Sequence, residues 1–152
     1  MLLAPSWRAL QRLITVLNVH AESLDLTCNI LKTVAMVFDP KNTNKIVSKN
    51  FPLFKIGSSS IQYITQFKYL GHVISNSVND DEDIQREIRN MFIRTNILVR
   101  RFSMCSLSVK TVLFKSYCIC MYDVALWRFF KKGTMDRFHS CYNKMCKGLF
   151  WL

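Results

Sequence analysis

Glycine and proline are scarce in this 152-residue chain, at four and three residues. It has no phosphate-binding Gly loop, no G-x-S-x-G elbow and no H-E-x-x-H helix, which removes three common catalytic plans at the level of motif. Six cysteines occur, none as C-x-x-C and none with a histidine at zinc-finger spacing. Buried structural thiols are therefore expected rather than disulfides or a metal site. His20, His72 and His139 are scattered and read as ordinary packed or surface residues. No basic segment followed by an apolar run opens the chain, so no secretory leader is expected, and the compartment is read as cytoplasmic or nuclear. The longest apolar stretch, VKTVLFKSYCICMYDVALWRFFKK, is interrupted by Lys115, Asp123 and Arg128. It lacks the roughly 18 clean residues of a membrane span, and a buried central helix is expected in its place.

Acids are few as well. Ten Asp/Glu face twenty-one Lys/Arg, a net charge of +11. The excess is local: residues 101–152 hold nine Lys/Arg against Asp123 and Asp136. Such an excess points to an anionic partner, above all nucleic acid. Arg94, Arg100, Arg101, Lys110, Lys131 and Lys132 are the candidate backbone contacts, and a merely solubilising surface is the alternative. The single acidic cluster is Asp80, Asp81, Glu82 and Asp83. Consecutive residues at a helix start splay around its axis, so capping and solvation are expected of them.

Half of the residues are hydrophobic, enough for a real core. Pro5-Ser6 and the spacing of Trp7, Leu10, Leu13/Ile14, Leu17 and Ala21 predict a capped helix. TVAMVF (33–38) predicts a buried strand stopped by Asp39-Pro40. A basic loop, PKNTNKIVSKN, follows. FPLFKI and IQYI around Gly57-Ser58-Ser59-Ser60 predict a hairpin, and FKYLGHVIS a further strand. From Asp80 the pattern turns helical. Ile84, Ile88, Met91, Leu98, Val99 and Phe102 lie within about 100° of one face, and Ile93 and Ile97 sit among arginines opposite. A last helix from about Thr134 aligns Met135, Phe138, Tyr142, Met145 and Leu149. The fold class is α+β, divided at residues 1–78 and 79–152.

Three stretches, in order, resemble the later part of a non-LTR (LINE-type) retrotransposon reverse transcriptase. LLAPSWRALQRLI resembles the segment after that family's A-D-D box. LTCNILKTVAMVF resembles its N-x-x-K-T followed by a strand, with the family's usual glycine before it replaced near Asp25-Leu26. FKYLGHVIS resembles its Y-L-G box. The tail with ALW and RFHSCYNKMCKGLFW resembles the region behind the palm. The resemblance implies a distal palm over 1–78 and a three-helix thumb over 79–152. It implies Asn29, Lys32 and Thr33 near an incoming nucleotide, with Lys68, Tyr69, Leu70 and Gly71 in a primer-grip hairpin. An RNA template and DNA primer are the implied partners, and no membrane is. Gly71 is expected to let backbone approach backbone; a kink in a packed hairpin is the alternative, as a plain surface lysine is for Lys32. The sequence starts just after the place of the A-D-D box. The expectation is thus a truncated domain without catalytic residues or metal ligands, whose missing partner is the N-terminal half of a polymerase. No cofactor is expected in this chain, Mg²⁺ belonging to the intact family enzyme, and it is expected to be inactive alone. The alternative is a non-catalytic, basic nucleic-acid-binding module.

Overall fold

Ser6 starts the first helix, α1 (Trp7–Ser23), by accepting the Ala9 N–H at 3.3 Å, the side-chain cap its position predicts. The computed structural model describes residues 1–40, 51–119, 121–122 and 124–150. Most of the predicted basic loop, Cys120, Asp123 and the final two residues lie outside the described residues. The chain forms two compact units, Met1–Phe67 and Lys68–Leu152. The division falls within the hairpin's first strand rather than after the hairpin at residue 78, because the hairpin's second strand is bonded into the helical unit.

Among the described residues of the first unit, α1 is followed by a 3₁₀ turn (Ile30–Lys32) and four short strands. These are β1 (Val34–Ala35), β2 (Lys55–Ile56), β3 (Ser59–Ser60) and β4 (Gln62–Tyr63). β2 and β3 pair antiparallel across Gly57-Ser58. Gly57, at φ +58°, supplies the positive angle that two-residue hairpin turns demand. The expected hairpin reaches only the first residue of IQYI, where the Ile61 N–H donates to the Phe54 carbonyl at 2.8 Å; the next two residues form β4, which pairs parallel with β1. The strand expected over 33–38 shortens to two residues, and Phe38 is exposed. The core is small: Ile14, Ala35, Phe54, Ile56 and Ile61, with Trp7 stacked on Phe54 at 5.8 Å. Leu13 and Leu17, expected on the buried face of α1, are exposed. Gln11 ties α1 to β2 by a double bond to one residue. Its Oε1 accepts the Lys55 N–H at 2.9 Å and its Nε2 donates to the Lys55 carbonyl at 2.9 Å.

The helical unit opens with the hairpin β5 (Gln66–Tyr69) and β6 (His72–Ser75), whose first strand spans the division. What reads as one strand with a central glycine is two strands, with Leu70-Gly71 as the turn. Both turn residues have positive φ, +50° and +94°, the signature of a type I′ hairpin. A Cβ on Gly71 would meet no atom within 4 Å. The expected close approach of backbone is therefore absent, and the left-handed angle alone calls for glycine.

α2 (Asp81–Arg101) and α4 (Lys132–Phe150) form the frame of this unit. The helix expected through 109–130 does not persist. α3 (Leu107–Leu113) passes into a π turn at Phe114–Cys118, and a 3₁₀ turn follows at Val124–Leu126. The core joins Ile84, Ile88, Met91 and Leu98 of α2 to Phe114, Cys118 and Trp127, and to Phe138, Cys141, Met145 and Leu149 of α4. Cys141 takes the buried place expected of Tyr142, which is exposed. Sulfur is concentrated here. The buried Thr95 hydroxyl donates to Met145 Sδ at 3.1 Å, and Cys118 and Cys141 are both buried.

Candidate nucleic-acid interface

Glu82 is exposed in the first turn of α2, as expected, but Asp80, Asp81 and Asp83 are bonded within the unit. Asp80 precedes α2 but makes no side-chain cap bond. Asp83 is fully buried. Its Oδ1 accepts the Val73 N–H of β6 at 2.9 Å and Arg86 Nε at 2.7 Å; its Oδ2 accepts the Trp127 indole N–H at 2.8 Å. Burial alone would raise the Asp83 carboxyl. The bonds from Arg86, Trp127 and Val73, with the Arg86 charge, outweigh it and hold the group below its ordinary range. His72 stands over the same carboxylates, Nδ1 3.0 Å from Asp83 Oδ2 and Nε2 3.9 Å from Asp80 Oδ1. The buried Nδ1 makes no aligned hydrogen bond.

Asp80 and Asp81 hold the segment that enters α4. Asp80 Oδ2 accepts the N–H groups of Arg128 and Phe129 at 2.7 and 2.8 Å, and Asp80 donates its own N–H to the Phe129 carbonyl at 2.8 Å. Asp81 Oδ1 accepts the Lys131 N–H at 2.8 Å. Burial raises the Asp81 carboxyl. Bonds from Lys131, Thr134 and Asn79, with the Lys131 charge, overcome that and lower it. Asp80 Oδ2, Asp81 Oδ1 and both Asp83 oxygens are thus engaged by N–H donors of the chain itself. Among the described residues no group of three or more His, Cys, Asp and Glu is placed to hold a metal.

These bonds orient two surfaces. The first is the hairpin. β6 is partly buried and pinned through Val73, whereas every residue of β5 is exposed, Lys68 and Tyr69 among them, and Leu70 at the tip is 88% exposed. The second is the segment 128–132, where Arg128, Phe129, Phe130, Lys131 and Lys132 are all exposed. Arg100 and Arg101 are exposed at the end of α2, and Lys110 on α3 is half-buried. Arg94 is half-buried too, and it pairs with the buried Glu87 at 3.0 Å. Ile93 on α2 is exposed at 58%, and Ile97 is half-buried.

Asn29, Lys32 and Thr33 lie in the other unit. Asn29 Oδ1 accepts the Lys32 N–H at 3.1 Å, and Thr33 Oγ1 donates to the Asn29 carbonyl at 2.7 Å. Together they close the turn that leaves Lys32 exposed ahead of β1. Just before it, Asp25 sits at φ +55°, where α1 ends. Leu26 N–H bonds the Ala21 carbonyl at 2.9 Å and Asp25 N–H the Glu22 carbonyl at 3.1 Å. This is the Schellman pattern, in which glycine normally fills the left-handed position.

Sequence reasoning passed over the two phenylalanines of the 128–132 segment and the buried role of Asp83. Both left a trace: Phe129-Phe130 stands inside a basic run, and Asp83 lies next to Ile84 on the apolar face of α2. Comparison with protein-family models, curated proteins and solved structures finds no match to this chain. No helix among the described residues is long and apolar enough to cross a membrane.

Proposed function

We propose that this chain binds nucleic acid through its hairpin and basic helical unit, as the distal palm and thumb of a non-LTR reverse transcriptase. The parent activity in this reading is RNA-directed DNA polymerisation. These 152 residues supply contacts to template and primer rather than the metal-dependent chemistry. The observation that carries the reading is the hairpin. One strand is pinned to a buried carboxylate, and the other offers Lys68, Tyr69 and a strained tip to a partner. Backbone held in the left-handed region by a non-glycine residue concentrates at binding sites. Asp25 adds support, since it occupies a glycine-favouring angle where the resemblance expects a glycine.

Duplex contacts of this kind are made to phosphates and backbone shape, without a base code. The test is binding of an RNA–DNA hybrid by the full chain, followed by anisotropy between about 50 and 200 mM salt. Affinity is expected to fall steeply, and Lys68→Ala with Tyr69→Ala to weaken it at every salt concentration. Affinity indifferent to salt sinks the phosphate-contact reading.

A second reading, a basic binding module with no polymerase parentage, is favoured by the self-contained core of the helical unit. It expects equal affinity for hybrid and B-form DNA, whereas the polymerase reading expects the hybrid to be preferred.

A further inference from the structure

The chain leaves the end of α2 by a tight turn. The Phe102 N–H bonds the Leu98 carbonyl at 2.9 Å, and the Cys105 N–H bonds the Phe102 carbonyl at 3.1 Å. Ser103 and Met104 are therefore the two central residues of a four-residue turn. Its ends are held, since Phe102 packs against the core of the helical unit and Cys105 is half-buried. Its centre stands in water, with Ser103 exposed and Met104 exposed at 97%. Among the described residues the Ser103 hydroxyl makes no hydrogen bond, whereas those of Ser106 and Ser108 just beyond it bond each other at 2.9 Å. Arg100 and Arg101, three and two residues before Ser103, are exposed and form no ion pair among the described residues. The helix dipole accounts for cations in a last turn, and a turn accounts for an exposed serine. Neither accounts for their register, Arg-Arg-x-Ser followed by an apolar side chain. Elsewhere in the sequence only Thr134 has cations at both of those places, Lys131 and Lys132, and Thr134 is buried.

We propose that Ser103 is a phosphorylation site for a serine kinase that selects cations on the N-terminal side of its acceptor, and that phosphate there takes Arg100 and Arg101 away from nucleic acid. The second part rests on the nucleic-acid reading above and names a regulation of that surface. Such a kinase chooses substrates by charge pattern: acidic groups of its cleft meet Arg100 and Arg101, and an apolar slot takes Met104. The Ser103 Oγ attacks the γ-phosphorus of Mg²⁺-bound ATP. The new O–P bond forms as the bond to the leaving ADP oxygen breaks, and an aspartate of the kinase takes the hydroxyl proton. The turn has to open for the segment to extend into that cleft, and helix ends and exposed turns open at small cost. Phosphoserine carries about −1.5 to −2 charges at pH 7, which nearly cancels two arginines. It accepts paired N–H bonds from guanidinium groups, so the arginines one turn away serve the new phosphate instead of a partner's. They also offset the repulsion between that phosphate and the negative end of α2, which lets the helix keep its last turn.

The experiment treats the full, folded chain with the catalytic subunit of cyclic-AMP-dependent protein kinase and Mg²⁺-ATP, and locates phosphate by intact mass and peptide fragmentation. The wild type is expected to take phosphate at Ser103, and Ser103→Ala to take none at that turn. R100Q/R101Q is expected to slow incorporation about tenfold or more, because both charge contacts to the kinase are lost. Circular dichroism checks that each variant keeps its fold. Affinity for an RNA–DNA hybrid is then read by anisotropy. The phosphorylated chain is expected to bind about fivefold or more weakly at about 100 mM salt, with a salt slope lower by about two, one for each arginine withdrawn. Ser103→Ala, treated with kinase in the same way, is expected to keep the affinity of the unmodified wild type. If the folded chain takes no phosphate at Ser103, or takes it only after denaturation, the site is wrong, and the hybrid-binding reading stands on its own affinity measurement. If Ser103 is phosphorylated and hybrid affinity does not change, the regulatory part is overturned. If the unmodified chain does not bind the hybrid, the nucleic-acid reading and the regulatory part fall together, and the mass measurement alone decides the acceptor.

Discussion

Asp83 and Trp127, far apart in the sequence, meet through a 2.8 Å hydrogen bond from the indole N–H to a carboxylate oxygen that no solvent reaches. The bond joins the start of α2 to the segment leading into α4. The same carboxylate holds Arg86 and the hairpin backbone. Asp83→Ala would remove the acceptor of the Val73 N–H, the Arg86 Nε–H and the buried Trp127 indole N–H. Breaking a buried, hydrogen-bonded ion pair from one side costs about 3–5 kcal/mol, so this variant is expected to unfold the helical unit under mild conditions. Urea titration followed by tryptophan fluorescence reads the loss. A midpoint within error of the wild type would show that Asp83 does not hold the unit together.

Acid should weaken the same contacts. The Asp81 and Asp83 carboxyls are both lowered in the folded chain, so folding favours their ionised forms. Their contribution is complete above the ordinary carboxylate range, near pH 3.9, and is lost as pH falls through the lowered folded values. Thermal midpoints measured from neutral to about pH 3 should therefore decline at the acid end. The slope there should be shallower in Asp81→Asn, which cannot titrate. Equal slopes would argue against the lowered carboxyl.

The hairpin tip gives a test that separates folding from binding. Leu70 holds a left-handed angle that costs an ordinary residue about 1–2 kcal/mol. Leu70→Asn, with a side chain that tolerates this region, is expected to stabilise the unit by about 0.5–1 kcal/mol. Gly71→Ala is expected to destabilise it by at least about 1 kcal/mol. If Leu70→Asn raises the denaturation midpoint but weakens hybrid binding, the leucine is kept at the tip for its contact with a partner.

In the first unit, Gln11 stands in for a neighbouring strand by satisfying both the N–H and the carbonyl of Lys55. Gln11→Ala removes both bonds, at a cost of about 1–2 kcal/mol. Faster amide exchange at Lys55 would be the local sign. Protection unchanged at that amide would mean the clamp adds nothing.

How far the sequence revealed these features depends on distance along the chain. α1 and its Ser6 cap, the apolar face of α2 and most of that of α4 are written in local spacing, and all were legible. The strands were less so. TVAMVF has the right residues for a strand, but pairing needs a partner, and β4 covers only Val34 and Ala35. The continuous helix expected through 109–130 gave way to a π turn, and Trp127 lies beyond it on Asp83. Periodicity could not report that bond. On α2 the clue was present: Asp83, Glu87 and Thr95 share the buried face with Ile84, Ile88 and Met91. Buried acids imply donors waiting elsewhere in the fold. Of the candidate site, the basic residues and the hairpin were legible. The anchoring of the segment 128–132 was not, because its backbone is held by carboxylates distant in sequence.

Cys118, Cys141, Met91 and Met145 all lie in the core of the helical unit, and burial raises the Cys141 thiol above its usual range. A thiol so placed is inert toward alkylating reagents while the unit is closed. Its reaction rate therefore counts openings of the unit rather than collisions at the surface. The chain carries its own clock of conformational opening. A bound nucleic acid that favours the closed form should slow that clock in proportion to its saturation.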